Sequence, residues 1–178
     1  MTTELTIHPD APRVGTVLPR HYAGCFACGD LEGGLRMRFR VVEPLTVESV
    51  VTLGTHHQGA PGLAHGGLIA AVFDEALGAL QAFVQEPAVT AHLAVDFRRP
   101  VPIGTPVHVL SRLDARDGRK LRVSADAHLG AVDGPVAATA RGLFVVVPLE
   151  HFSRHGRPED VAAAKEAGVA PHPFAREH

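Results

Sequence analysis

Residues 65–85 are the only long helix-forming run in this sequence, and almost every residue in the run is apolar. Leu68, Val72, Ala76, Ala79 and Phe83 recur at helical spacing, Ala and Leu fill much of the remainder, and Pro87 stops the pattern. A surface helix needs one apolar stripe, whereas a helix this apolar has to be enclosed on most of its sides. The rest of the chain must therefore supply a layer that wraps it.

That layer reads as strands. Residues 35–42 alternate, with Leu35, Met37, Phe39 and Val41 on one face. Glu43-Pro44 makes a turn, and residues 47–53 repeat the pattern. A loop with three glycines and a proline, residues 54–62, leads to the helix. After it, alternating runs cover 89–98, 107–113, 121–129 and 136–147, and two Asp-Gly pairs, Asp117-Gly118 and Asp133-Gly134, mark hairpins. The order is two strands, one buried helix and four strands, which predicts an α+β fold with an antiparallel sheet wrapped on the helix. The 178 residues suffice for one domain, placed at 21–150. Residues 1–20, with three prolines, read as an arm that either packs on the domain or is disordered. Residues 151–178 read as an extension with a short helix over 158–168 and a tail.

A net charge of −2 gives no global electrostatic case for nucleic acid or an anionic membrane. The longest apolar stretch, 68–84, is interrupted by Asp74, Glu75 and Gln81, which argues against a membrane span. Residues 1–9 lack the basic start and apolar core of a signal peptide. Two cysteines, Cys25 and Cys28, are too few for a disulfide framework, which suits a reducing cytoplasm or the absence of a redox role. Structural zinc normally takes four ligands, and the C-x-x-C pair has only His21 nearby as a third. The pair is therefore expected to be buried, unreactive thiol, with no metal bound.

The run Pro61-Gly62-Leu63-Ala64-His65-Gly66-Gly67, continued by Ala71-Val72-Phe73-Asp74-Glu75, resembles the hotdog acyl-CoA thioesterases of the phenylacetate-degradation (PaaI-like) type. Cys25-Phe26-Ala27-Cys28-Gly29 resembles the lead-in of many members, and the segment from Val95 through Arg98-Arg99-Pro100 to Gly104 resembles their strand after the helix. The similarity spans residues 21–148 with all elements in order. The resemblance implies a sheet curled round the helix, two such units paired as a homodimer or a dimer of dimers, an acyl-CoA substrate, and no cofactor.

Asp74 lies among Ala71, Val72, Phe73, Ala76 and Leu77, in surroundings where an unpaired carboxylate is costly. It is expected to act as a general base that activates water or as a nucleophile; the alternative is pairing with a buried Arg or His. Glu75, about 100° further round the helix, is the second choice, otherwise an interface or surface charge. His65, Gly66 and Gly67 sit at the helix N-terminus, where unpaired amides and the positive dipole end could stabilise a thioester oxyanion. The backbone of Gly66 or Gly67 is the expected donor, with His65 orienting the turn or bonding the thioester. The resemblance implies that Thr90 can hold the attacking water, the alternative being a β-favouring residue at a strand start, and His92 should share its face. Related enzymes use a loop amide, for which Gln58, beside His57, is the candidate. Arg98 and Arg99, or the Arg116, Arg119 and Lys120 cluster, are the candidates for the phosphates of coenzyme A.

Residues 65 and 74 are nine apart, about 13 Å along a helix and half a turn off two full ones. A single chain cannot direct both at one carbonyl, so the site is expected to straddle a two-fold interface. The competing readings are an acyl-CoA-binding module without turnover, and a dehydratase, whose different acid–base arrangement is not found. Small residues such as Ala70, Ala71, Ala76 and Ala79 leave the acyl group open.

Overall fold

The computed structural model describes residues 5, 7–20 and 22–166. Eight strands and three helices follow in order: β1 (Phe39–Glu43), β2 (Thr46–Thr52), β3 (Gln58–Ala60), β4 (Leu63–Ala64), α1 (Gly66–Gly78), β5 (Ala88–Phe97), β6 (Pro106–Asp117), β7 (Lys120–Leu129), β8 (Val136–Val146), α2 (Glu150–His155) and α3 (Pro158–Glu166). Six strands make one antiparallel sheet in the order β1-β2-β6-β7-β8-β5, and β3 and β4 form a small separate hairpin. This is the expected sheet wrapped on one helix.

The inner face of the sheet is apolar at every second position except Ser49 on β2 and Ser111 on β6, which are buried there. Val47 and Val51, Val107 and Val109, Leu121 and Val123, and Phe144 are all buried against α1, which contributes Ile69, Val72, Phe73 and Leu77. Each large side chain of the helix stabilises the fold by roughly 1.5–3 kcal/mol through area removed from water. Two cross-strand alanine pairs, Ala125 with Ala140 and Ala127 with Ala138, keep the middle of the trough shallow enough for the helix to lie close. At Gly142 a Cβ would come within 2.9 Å of Val123 Cγ2 and 3.2 Å of Leu77 Cδ1, so a side chain there would force these neighbours, and with them the helix contact, to shift.

By length and composition the helical segment Gly66–Phe83 could cross a bilayer, yet half of it is buried inside the fold. It is α-helical to Gly78 and tightens to a 3₁₀ turn over Ala79–Phe83, somewhat short of the expected end at 85.

The alternation at 35–41 is right about burial but not about the ladder. Leu35, Met37, Phe39 and Val41 are all buried, while only Phe39–Glu43 pairs with β2. The backbone of 35–37 is bonded instead to the cysteine loop, Leu35 N–H to Phe26 O at 3.0 Å and Met37 N–H to Ala27 O at 2.8 Å. The described part of the arm packs on the domain: Leu18 N–H donates to Phe39 O, and Val41 N–H to Thr16 O, both at 2.9 Å. It thereby covers the outer side of β1, leaving β5 as the uncovered edge among the described residues. The extension holds α2, which was not expected, and α3; the last two residues of the expected 158–168 helix, the tail and His21 lie outside the described residues.

Candidate active site

The start of α1 is set by the loop before it. His57 is buried, its Nδ1 accepts from Gly54 N–H at 2.9 Å, and its Nε2 lies 3.0 Å from Gly33 O. Its carbonyl accepts from His65 N–H at 2.8 Å, which fixes where the helix begins. His65 is extended (φ −69°, ψ 130°) and caps the helix: its Nδ1 accepts from Gly67 N–H at 2.9 Å. That bond places the imidazole proton on Nε2, leaving Nε2–H as the outward donor. It also removes Gly67 as a candidate oxyanion donor in this arrangement. Gly66, the first helical residue, is exposed, and among the described residues its amide has no acceptor. Phe97, 58% exposed at the end of β5, lies against Gly66; a Cβ there would be 3.6 Å from its Cζ.

Asp74 sits half-buried two turns further on. Thr90 Oγ1 donates to Asp74 Oδ1 at 2.7 Å. Among the described residues Asp74 has no ion pair, and Oδ2 has no hydrogen bond. Both residues lie in the wall of a cavity of about 230 Å³, lined also by Leu18 from the arm, Phe39, Gly78, Phe144 and Phe152 of α2. The carboxylate therefore faces a mainly apolar space large enough for water and part of a ligand.

The spacing argument changes with the true helix boundary. His65 is outside the helix, so the relevant pair is Gly66 and Asp74, eight residues apart. They are about 12 Å apart along the axis and about 80° apart in rotation, not half a turn. The axial gap alone keeps one chain from directing both at a single carbonyl. Their neighbours say the same, since Thr90 and Phe97 stand near opposite ends of β5.

His92 does not share a face with Thr90. Thr90 pairs with Phe144 and His92 with Leu143, so Ala91 is the extra residue of a bulge and the two side chains point to opposite sides of the sheet. Gln58 is exposed, but its amide is engaged in its own turn, Oε1 accepting from Gly62 N–H at 2.6 Å and Nε2 donating to Thr55 O at 2.9 Å. Arg99 Nη1 donates to Val136 O at 2.6 Å, whereas the exposed Arg98 side chain has no partner among the described residues. Arg116 is paired with Glu86 at 2.5 Å, and Arg119 and Lys120 are exposed at the opposite end of β8 from Arg98 and Arg99.

Glu75 is not a surface charge. Its Oε2 lies 3.6 Å from Cys25 Sγ, and burial, partly opposed by a hydrogen bond from Cys28, pushes its carboxyl up to about 7. Cys28 is fully buried, and the Cys25 contact together with burial drives its thiol well above the usual thiol range. The sequence gives no sign that a residue fifty positions downstream meets the cysteine pair. The aromatic and arm residues that line the cavity were equally unmarked.

The thioesterase superfamily profile matches residues 61–131, the stretch from the loop before α1 to the end of β7. Over that stretch the chain is similar to the thioesterase superfamily. Acyl-coenzyme A thioesterase THEM4 of Rattus norvegicus is 38% identical over 97 residues, a match spanning 53% of this chain and 42% of that protein. The chain thus spans less than half the length of that relative. The E. coli PaaI protein from the phenylacetic acid degradation operon has the same fold, with a TM-score of 0.59 at 15% identity over 64% of this chain and 81% of that one. So has a Streptococcus mutans protein solved bound to acetyl CoA, with a TM-score of 0.59 at 16% identity over 66% and 94%. The chain thus has the hotdog fold, and both Gly66 and Asp74 fall inside the matched stretch.

Proposed function

We propose that this thioesterase superfamily chain hydrolyses acyl-CoA to a free acid and CoA, at two equivalent sites shared across a homodimer. The observation that carries the reading is Asp74: a carboxylate on a cavity wall, steadied by one hydroxyl and unpaired by any cation among the described residues. The hydrogen bond from Thr90 to Oδ1 fixes the plane of the carboxylate and leaves Oδ2 to take a proton from water. A lone pair of the Thr90 hydroxyl can hold that water beside Oδ2. The water oxygen attacks the thioester carbonyl, the carbonyl oxygen gains negative charge, and collapse of the adduct breaks the carbon–sulfur bond. The proton passes from Asp74 to the leaving thiolate.

The developing oxyanion needs a donor without a partner, and the Gly66 amide at the positive end of α1 is one. We assign it to the other protomer. Among the described residues β5 is an uncovered edge strand of ten residues, which presents a row of backbone groups for pairing. Antiparallel pairing of two such edges about a two-fold axis sets the Thr90 end of one beside the Phe97 end of the other. The partner's Gly66 then faces Asp74. Arg98, next to Phe97, would lie over the same site and serve the CoA phosphates.

The test is CoA release from a panel of aryl-, short- and medium-chain acyl-CoA thioesters, with Asp74→Asn as control. Turnover should fall by roughly 10²-fold or more while KM holds, the pattern of a lost base. Tight binding of acyl-CoA without CoA release by the unaltered chain would favour a binding module instead.

A further inference from the structure

We propose that Cys25, Cys28 and Glu75 bind one zinc ion that clasps the cysteine loop to α1, with water in the fourth position. The three ligand atoms already converge, all lying within 4.8 Å of one another. Zinc–sulfur bonds of about 2.3 Å and zinc–oxygen bonds of about 2.1 Å at a tetrahedral angle put sulfur and oxygen about 3.6 Å apart. The Cys25 Sγ to Glu75 Oε2 separation is 3.6 Å.

The loop is built as a ligand turn. Gly29 N–H donates to Cys25 O at 2.9 Å, closing the turn so that both sulfurs face α1. Ala27 N–H points at Cys25 Sγ from 3.4 Å, a contact that strengthens as the sulfur becomes thiolate. A side chain at position 29 would run into the carbonyls of Ala23 and Cys25, so the turn requires glycine. Arg38 anchors it from outside by donating to Cys28 O at 2.8 Å.

Charge gives an independent reason. Glu75 is partly buried, and among the described residues no Lys, Arg or His is paired with it. Two thiols that can become thiolates lie beside that carboxylate. A divalent ion would neutralise the three groups together, and a thiolate pair selects zinc over hard cations such as magnesium or calcium. Binding releases the two thiol protons to solvent. Glu75 precedes no other ligand on α1 and adjoins Asp74, so the clasp would hold the wall of the cavity in place. Metal binding is read without turnover, so this inference and the proposed hydrolysis fail separately.

The experiment uses the full chain, untagged, reduced and stripped with a chelator. Added cobalt(II) should give a thiolate-to-metal charge-transfer band and the strong visible absorption of a four-coordinate ion, saturating at one equivalent. Zinc should displace it and shield the partly exposed Cys25 from alkylation. Cys25→Ser should abolish the charge-transfer band or reduce it to that of one thiolate, and Glu75→Gln should weaken zinc binding by at least ~10-fold. The alkylation readout on the unaltered chain stands even where a variant fails to fold. Absence of the cobalt band, zinc binding unchanged in Cys25→Ser or Glu75→Gln, or a Cys25–Cys28 disulfide that excludes metal under reducing conditions would overturn the proposal.

Discussion

Gly66→Pro deletes one hydrogen-bond donor and little else. Gly66 is the first helical residue, the position at which an α-helix accepts proline because the amide there has no intrahelical acceptor. The preceding His65 is extended, at φ −69° and ψ 130°, the conformation that a residue before proline prefers. A new Cβ would meet Phe97 Cζ at 3.6 Å, an ordinary contact. Stability should change by less than ~1 kcal/mol, with the lost chain entropy of the unfolded state working in favour of the variant. The oxyanion, by contrast, loses its proposed donor, which is worth ~10²–10³-fold in kcat when the site is otherwise intact. Gly66→Ala keeps the amide and meets the same ordinary contact, so it should retain most of the rate. The assay is CoA release with a thiol-reactive chromophore, paired with thermal melts of all three proteins. A Gly66→Pro enzyme that melts like its parent and turns over within a few-fold of it would refute the oxyanion assignment.

Thr90→Val removes a 2.7 Å hydrogen bond to a carboxylate while keeping a β-favouring side chain, and kcat should fall by roughly 10-fold with the melting point nearly held. His65→Ala removes the side chain that caps α1, which should lower stability by ~1 kcal/mol and the melting temperature by ~2–4 °C, read by calorimetry. A melting temperature that does not move would mean the His65 to Gly67 bond is not formed in solution.

The wrapped-helix architecture was legible because it follows from composition along one segment: a helix apolar on nearly every side leaves few ways to bury itself. Asp74 and Gly66 stood out for the same reason, one as a charge inside that helix and the other as a side-chain-free start to it. What failed were features set by distant contacts. Thr90 and His92 look like partners by strand periodicity, and the Ala91 bulge that separates them is set by pairing to β8. Gln58 looks available until the turn at Gly62 is closed by its amide. Leu18 and Phe152 come from the two ends of the chain to line one cavity, and Glu75 meets Cys25 across fifty residues. No local pattern encodes these meetings; they exist only once the sheet has curved.

The most direct measurement mixes two inactive chains. Asp74→Asn and Gly66→Pro proteins are combined, dissociated and reassociated, and CoA release is compared with either parent alone. Sites shared between protomers leave each mixed dimer one intact pairing out of two, and mixed dimers make up about half of a random population, so activity should recover to ~25% of the unaltered enzyme. Sites built within one chain would give no recovery, and activity at the parental level after verified exchange would contradict the account.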